Sequence, residues 1–97
     1  MARRDPFHAI ADPTRRAILD QLRDGELSAG DLGAHVRISQ PSLSQHLRVL
    51  REAGLVAARR DGRRRLYRLE PAALRVVREW IVEYEGYWDD ALTQIPG

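Results

Sequence analysis

The sequence predicts a mainly α-helical domain with one small β-hairpin, in the order of four helices, two strands and a last helix. Three observations lead to this class. Helix-start signals recur along the first half of the chain, an Asp-Gly turn then separates two short strand-like runs, and a helical spacing of apolar residues returns after Pro71. The 97 residues are enough for one domain, over residues 1–97, and too few for two.

The first two helices begin at two Asp-Pro pairs. Asp5 and Asp12 can each cap a helix whose first residue is the following proline, where the missing N–H costs no hydrogen bond. We expect a short helix over about residues 6–11 and a longer one over about residues 13–24, which Gly25 ends.

The next two helices form a helix-turn-helix pattern over about residues 28–54. Ser28 is the expected cap of a helix that ends near Val36, and Ser39 is the expected cap of a longer helix that continues to Gly54. Two helices separated by three or four residues, the second of them longer, are typical of a helix-turn-helix.

The longer helix is the expected recognition helix. Leu43, Leu47 and Leu50 share one side of it, which leaves polar side chains on the opposite side and the flanks. A helix fits the major groove of B-DNA, and residues near its N-terminus meet the base edges. The expected DNA-contacting residues of this helix are Gln40, Ser42, Ser44, Gln45, His46, Arg48 and Arg51.

The side chains of the recognition helix suit different parts of the DNA. Glutamine pairs with the edge of adenine, and serine bonds to a base or a phosphate. Arg48 and Arg51 are better placed for phosphates, which set affinity and register without reading the sequence. His46 flanks the buried leucines, so we expect it to pack or to contact a phosphate rather than to bind a metal.

A hairpin over about residues 55–69 follows, with Asp61-Gly62 as its turn signal. Between Arg37 and Arg68 the chain carries nine arginines against two acidic residues, although the net charge of the whole chain is only +2. A basic hairpin after a helix-turn-helix is a wing, so the layout is that of a winged helix-turn-helix (α-α-α-α-β-β-α). The arginines of the wing expected to contact DNA are Arg60, Arg63, Arg64 and Arg65. By contrast, Arg59 and Arg68 are expected to pair with acidic residues of the frame.

The last helix is predicted over about residues 71–95. Its apolar residues recur at alternating spacings of three and four in one row, which comprises Leu74, Val77, Ile81, Tyr84, Trp88, Ala91 and Ile95. A second row, which includes Trp80 and Tyr87, lies beside the first. So wide an apolar stripe can face its own domain with one row and a second copy of the chain with the other. The alternative is a helix buried in the core of a single chain.

Three stretches resemble the ArsR family of bacterial repressors. The run SQPSLSQHLRVLREAGLV over residues 39–56 is similar to that family's recognition helix and first wing strand, and residues 11–16 and 62–69 are also similar to it. The resemblance implies a homodimer, joined through the first and last helices, that binds a partly palindromic operator and is released by an inducer. The interface residues implied are Phe7, Ile10, Val77, Trp80, Ile81, Tyr84, Tyr87, Trp88 and Ala91.

The sequence departs from the metal-sensing members of that family. Such members carry Cys-x-Cys at the start of the third helix, where this chain has Ser28 and Gly30, and the chain contains no cysteine. Other members bind zinc through histidines and carboxylates on the last helix, but no histidine follows His46. We therefore expect no metal and no cofactor, and any inducer is an unknown small molecule or protein.

Other classes of function fit the sequence less well. No serine or threonine has a plausible base and orienting acid nearby in the pattern, and no glycine-rich phosphate loop is present, so we expect no enzyme. The basic start lacks the apolar run of a signal peptide, and no stretch approaches the ~20 apolar residues of a membrane helix. We expect a cytoplasmic protein bound to double-stranded DNA. The alternatives are a winged-helix module that binds only protein, and a DNA-binding protein that is architectural or activates transcription.

Overall fold

A computed structural model of the chain describes residues 5–93, apart from the side chains of Asp89, Leu92 and Thr93. Within that range the elements are α1 (Pro6–Ile10), α2 (Pro13–Gln21), a 3₁₀ turn (Leu22–Asp24), β1 (Leu27–Ser28), α3 (Ala29–Val36), α4 (Gln40–Glu52), β2 (Val56–Asp61), β3 (Arg64–Leu69), α5 (Pro71–Val82) and α6 (Glu85–Thr93). The winged helix-turn-helix class predicted from the sequence is confirmed.

Side-chain caps start the helices where the sequence predicts them. The carboxylate of Asp5 accepts a hydrogen bond from the backbone N–H of Phe7 at 2.9 Å, and that of Asp12 accepts one from Thr14 at 2.7 Å. The hydroxyls of Ser28 and Ser39 cap α3 and α4 in the same way. Each cap satisfies N–H groups that have no partner inside the helix, which fixes the position of its first turn.

Helix ends depart slightly from the prediction. The second helix is regular only to Gln21, and its last three residues form a tighter 3₁₀ turn before Gly25. The recognition helix ends at Glu52, and Gly54 follows with a positive φ of 76°. Final turns often tighten in this way, because the last carbonyl groups lack α-helical partners.

The sheet has three strands, of which the sequence predicted only two. The short strand β1 pairs antiparallel with β3, with Leu27 opposite Tyr67, and places β3 between β1 and β2. The hairpin itself closes where Asp61 pairs with Arg64, so its two-residue loop contains Gly62 with a φ of 65°. A glycine at that position supplies the positive φ that a tight hairpin requires. The strand β1 thus joins the base of the wing to the start of α3.

The core lies between the helix-turn-helix and this sheet. Its largest fully buried side chains are Ile18, Leu32, Leu43, Leu50 and Leu55. Burying each of these side chains contributes about 1.5–3 kcal/mol to the free energy of unfolding. The buried face of α4 is therefore fixed on the core, and its opposite face is turned outward.

The prediction of one continuous last helix is wrong. The helix α5 ends at Val82 and α6 begins at Glu85, and at the break the N–H of Tyr84 donates to the carbonyl of Ile81, three residues back, at 2.9 Å. The charges favour a break, because Glu83 opposes the dipole at the end of α5 whereas Glu85 is favourable in the first turn of α6. Ile95, which was predicted to extend the apolar row, lies outside the described residues.

Candidate nucleic-acid interface

The recognition helix α4 presents an exposed polar face beside the wing. Ser44, Gln45, Arg48 and Arg51 are exposed, and Ser42 is half-buried at the edge of this face. These five residues are the part of the predicted set that faces outward. None of the five forms a hydrogen bond to another element among the described residues, although Arg48 lies 3.9 Å from Glu52 one turn later.

Gln40 is also exposed, but its amide bridges the two helices of the helix-turn-helix. Its Nε2 donates to the carbonyl of Ala29 at 3.3 Å, eleven residues earlier in the chain. A Cβ added to Gly33 would come within 2.5 Å of this nitrogen, so the close approach depends on glycine. Gln40 can therefore hold α3 against the start of α4, a role that the sequence alone did not reveal.

His46 lies on the inner flank of α4 rather than on its outward face. The ring is half-buried, and its Nδ1 is 3.3 Å from Nη1 of Arg15 on α2. The packing part of its predicted role is thus visible in the structure. Arg15 is a residue that the sequence reasoning missed. The sequence did contain an indication of its role. Arg15 precedes Ile18 by three residues and Leu19 by four, a spacing that places its charge on the buried face of α2.

The wing presents the four arginines that the sequence assigned to DNA. Arg60, Arg63, Arg64 and Arg65 are all exposed, and Arg65 lies over the ring of Tyr67, with 5.9 Å between its guanidinium carbon and the ring centre. They occupy the end of the hairpin and the two-residue loop. The wing therefore carries a dense positive charge at the tip that projects from the sheet.

The other two arginines of the hairpin pair with acids, as predicted. Arg59 donates two hydrogen bonds to the carboxylate of Glu26, at 2.8 and 2.9 Å, and Arg68 lies 3.1 Å from Glu70. The hydrogen bond from Arg59 lowers the pKa of Glu26 below its usual range, and the same contact raises the pKa of Arg59. The bidentate pair ties the second strand to the chain just before β1.

A cleft of about 540 Å³ separates the recognition helix from the wing. Its lining includes three arginines from the two elements, Arg48, Arg51 and Arg65, and one acidic residue, Glu52. Converging guanidinium groups suit the oxygens of a phosphate, to which they can donate in pairs. The charge of the cleft thus suits a phosphate-bearing ligand.

Outside this cleft, aromatic side chains remain exposed on α5 and α6. Trp80 is 53% exposed, Tyr87 70% and Trp88 46%, and Tyr84 is also exposed. Phe7 of α1 packs edge-on against Trp80, with 5.6 Å between ring centres, so the first helix joins this surface. The remaining residues of the predicted interface are Ile10 and Ile81, which are half-buried, Val77, which is buried, and Ala91, which is exposed. We refer to Phe7, Trp80, Tyr84, Tyr87 and Trp88 as the aromatic surface.

The described residues include neither a cluster of metal-binding side chains nor a membrane-spanning helix. Among the side chains that the structure describes, no group of three or more His, Cys, Asp or Glu is arranged to hold a metal ion. At the position of the family's first cysteine, the Ser28 hydroxyl accepts a hydrogen bond from the N–H of Asp31 at 3.1 Å. None of the described helices is long and apolar enough to span a bilayer.

Known proteins with similar sequences and structures are regulators of transcription. The family model described as bacterial regulatory protein, arsR family, matches residues 12–58, which contain the helix-turn-helix. The chain is 42% identical over 87 residues to the HTH-type transcriptional regulator Rv2034 of Mycobacterium tuberculosis, covering 90% of this chain and 78% of that protein. It is 40% identical over 86 residues to the transcriptional repressor SdpR of Bacillus subtilis, covering 89% and 96% of the two chains. A crystal structure of a possible transcriptional regulator for arsenical resistance matches with a TM-score of 0.81 at 39% identity, over 96% of this chain and 98% of that chain.

Proposed function

This chain belongs to the arsR family of bacterial regulatory proteins, and from that premise we propose that it is a homodimeric repressor that binds a partly palindromic operator without a bound metal. The family and the relatives named above are transcriptional regulators and not enzymes.

The observation that carries the proposal is the convergence of α4 and the wing on one basic cleft. The outward residues of α4 offer hydroxyl and amide groups, and arginines flank them on the same helix and on the wing. Amide and hydroxyl groups discriminate between bases, whereas arginines bind the phosphates. Gln45 is the side chain that we assign to a base, and Arg63 and Arg64 are assigned to the backbone beside the wing.

The aromatic surface supports the homodimer. Two tryptophans and two tyrosines exposed on one chain form an apolar area that water solvates poorly, and large exposed patches of this kind mark interaction sites. A second copy that covers this surface would bring two recognition helices into one assembly. Such an assembly reads two half-sites about one helical turn apart.

The start of α3 supports independence from metal. Ser28 and Gly30 occupy the positions of the family's thiolate ligands, and the Ser28 hydroxyl already serves as the helix cap. Neither residue offers the thiolate or imidazole that transition metals prefer. A regulator of transcription acts where the chromosome lies, and we propose that this chain acts in the cytoplasm.

Fluorescence anisotropy tests the proposal directly. The labelled duplex is the DNA just upstream of the chain's own gene, the control is a scrambled duplex of equal composition, and both are titrated with a chelator present. We expect a clear preference for the upstream duplex, with two chains bound per site. Equal and weak binding of both duplexes would instead favour a winged-helix module that binds only protein, for which the aromatic surface offers a docking site.

A further inference from the structure

Arg15 connects three helices of the fold. From α2, its Nε donates to the carbonyl of Ala9 at 2.7 Å, and its Nη2 lies 3.4 Å from the carbonyl of His8, so two nitrogens reach the end of α1. Its Nη1 lies 3.3 Å from Nδ1 of His46 on the recognition helix. No other described side chain forms hydrogen bonds to both α1 and α4.

The backbone of Arg15 is held in place by the cap of its own helix. The carboxylate of Asp12 accepts hydrogen bonds from the N–H of Thr14 at 2.7 Å and from the N–H of Arg15 at 3.1 Å. Burial alone would raise the pKa of Asp12, but these two N–H donors and the positive charge of Arg15 outweigh it and lower that pKa. The Asp12 carboxylate thus stays charged and interacts favourably with the positive charge of Arg15.

The contact between Arg15 and His46 requires one tautomer of the His46 ring. Arginine has no acceptor, so the contact with His46 is a hydrogen bond only when Nδ1 carries the lone pair and Nε2 carries the proton. The guanidinium is planar and its N–H donors are rigidly spaced, so it can donate to the carbonyls of α1 and to the ring of His46 at the same time. A lysine at this position can supply the positive charge but not several donors in a fixed plane.

We propose that Arg15 is a positioning residue that fixes the recognition helix relative to the dimer interface. This role rests on the proposed function, since α1 reaches that interface through the packing of Phe7 against Trp80. A fixed angle between α1 and α4 in each chain fixes the separation of the two recognition helices in the dimer. The contact of Arg15 with His46 therefore determines how strictly the dimer requires one spacing of half-sites.

Four variants separate this role from a purely structural one. Arg15→Lys removes the planar guanidinium, and His46→Leu removes the ring nitrogen that accepts its hydrogen bond. His46→Asn retains an acceptor atom at the position of Nδ1. Arg16→Lys is the matched control, because Arg16 donates to the carbonyl of Ile10 at 2.8 Å and so contacts α1 without reaching α4. Urea unfolding of each variant reports the stability of the fold separately from DNA binding.

The readout is the ratio of two affinities, for the operator and for the same operator with its half-sites one base pair further apart. We expect the wild type, His46→Asn and Arg16→Lys to prefer the native spacing by about tenfold. Arg15→Lys and His46→Leu are expected to lose most of this preference while they bind scrambled DNA as the wild type does. The double variant Arg15→Lys with His46→Leu is expected to lose no more than either single one, because both remove the same link.

Two results would overturn the inference. One is an unchanged spacing preference in Arg15→Lys and His46→Leu, and the other is an equal loss in the Arg16→Lys control. A wild type that does not distinguish the operator from scrambled DNA would instead contradict the proposed function, and the inference would fall with it.

Discussion

At the scale of single residues, Gln45 is the side chain that we propose reads a base. It is exposed near the start of α4, and its amide can both donate to and accept from the edge of an adenine. We expect Gln45→Ala to weaken operator binding by roughly 1–3 kcal/mol, and only at one base-pair position. Fluorescence anisotropy measures the affinity for operators that are substituted at each base pair in turn. The control is Gln21→Ala, at an exposed position of α2. A uniform loss on all duplexes would assign Gln45 to the backbone.

The carboxylate of Glu26 gives a prediction for pH. Its pKa is lowered in the folded chain, chiefly by the hydrogen bond from Arg59. Such a group stabilises the fold fully above the pKa that it has when unfolded, about 4.3, and the stabilisation is lost as the pH falls through the lower folded value. We therefore expect Glu26→Gln to lower the urea midpoint at pH 7, and to differ less and less from the wild type below about pH 4.

Urea titrations at several pH values compare the unfolding midpoints of Glu26→Gln and the wild type. The control is Glu79→Gln, at an exposed position of α5. A deficit of Glu26→Gln that stays constant from pH 7 to pH 3 would show that the ion pair is not its origin.

Individual residues show where sequence reasoning succeeds and where it fails. Asp5, Asp12 and the two serine caps act on N–H groups two or three residues away, so their roles can be predicted from local sequence. By contrast, Gln40 bonds to a residue eleven positions away along the chain, and Arg15 reaches one that is thirty-one positions away. Pairings of this kind depend on how helices pack, which no local pattern encodes.

At the scale of elements, the wing is expected to supply affinity rather than specificity. Its loop arginines, Arg63 and Arg64, are exposed, and each phosphate that they neutralise releases a condensed counterion. Replacing both with alanine is expected to weaken binding to operator and scrambled DNA alike, and to reduce the slope of log affinity against log salt by up to about two. Titrations at several salt concentrations measure this slope, and Arg78→Ala on α5 is the control. A slope identical to that of the wild type would remove the wing from the interface.

Two elements explain the limits of the fold prediction. The strand β1 has two residues, and its pairing with β3 joins positions about forty residues apart, so no alternating pattern announces it. The long apolar row predicted one unbroken last helix, because the spacing of apolar residues does not change when a short turn leaves them on the same face. The order of elements, the helix-turn-helix and the hairpin were predictable, since each has its own caps or turn residues.

At the scale of the whole molecule, the aromatic surface is expected to hold two chains together. Trp88→Asp places a charge at an exposed ring of this surface, and burying an unpaired carboxylate is strongly unfavourable. We expect this variant to remain folded, to become monomeric by light scattering, and to bind the operator at least about tenfold more weakly, because two linked half-site contacts become one. Arg75→Asp, at an exposed polar position of α5, is the control. A Trp88→Asp variant that is still dimeric would place the interface elsewhere.

The most direct measurement for the account as a whole is operator affinity after insertion of half a helical turn, about five base pairs, between the half-sites. A dimer that presents two recognition helices on one side of the duplex can no longer place both in the major groove, because the second half-site is rotated to the opposite side. For such a dimer we expect the affinity to fall to that for scrambled DNA and to return in large part when a full turn is inserted. An affinity that is unchanged by the half-turn insertion would contradict the dimeric reading of DNA, since each chain would then bind its site independently of the other.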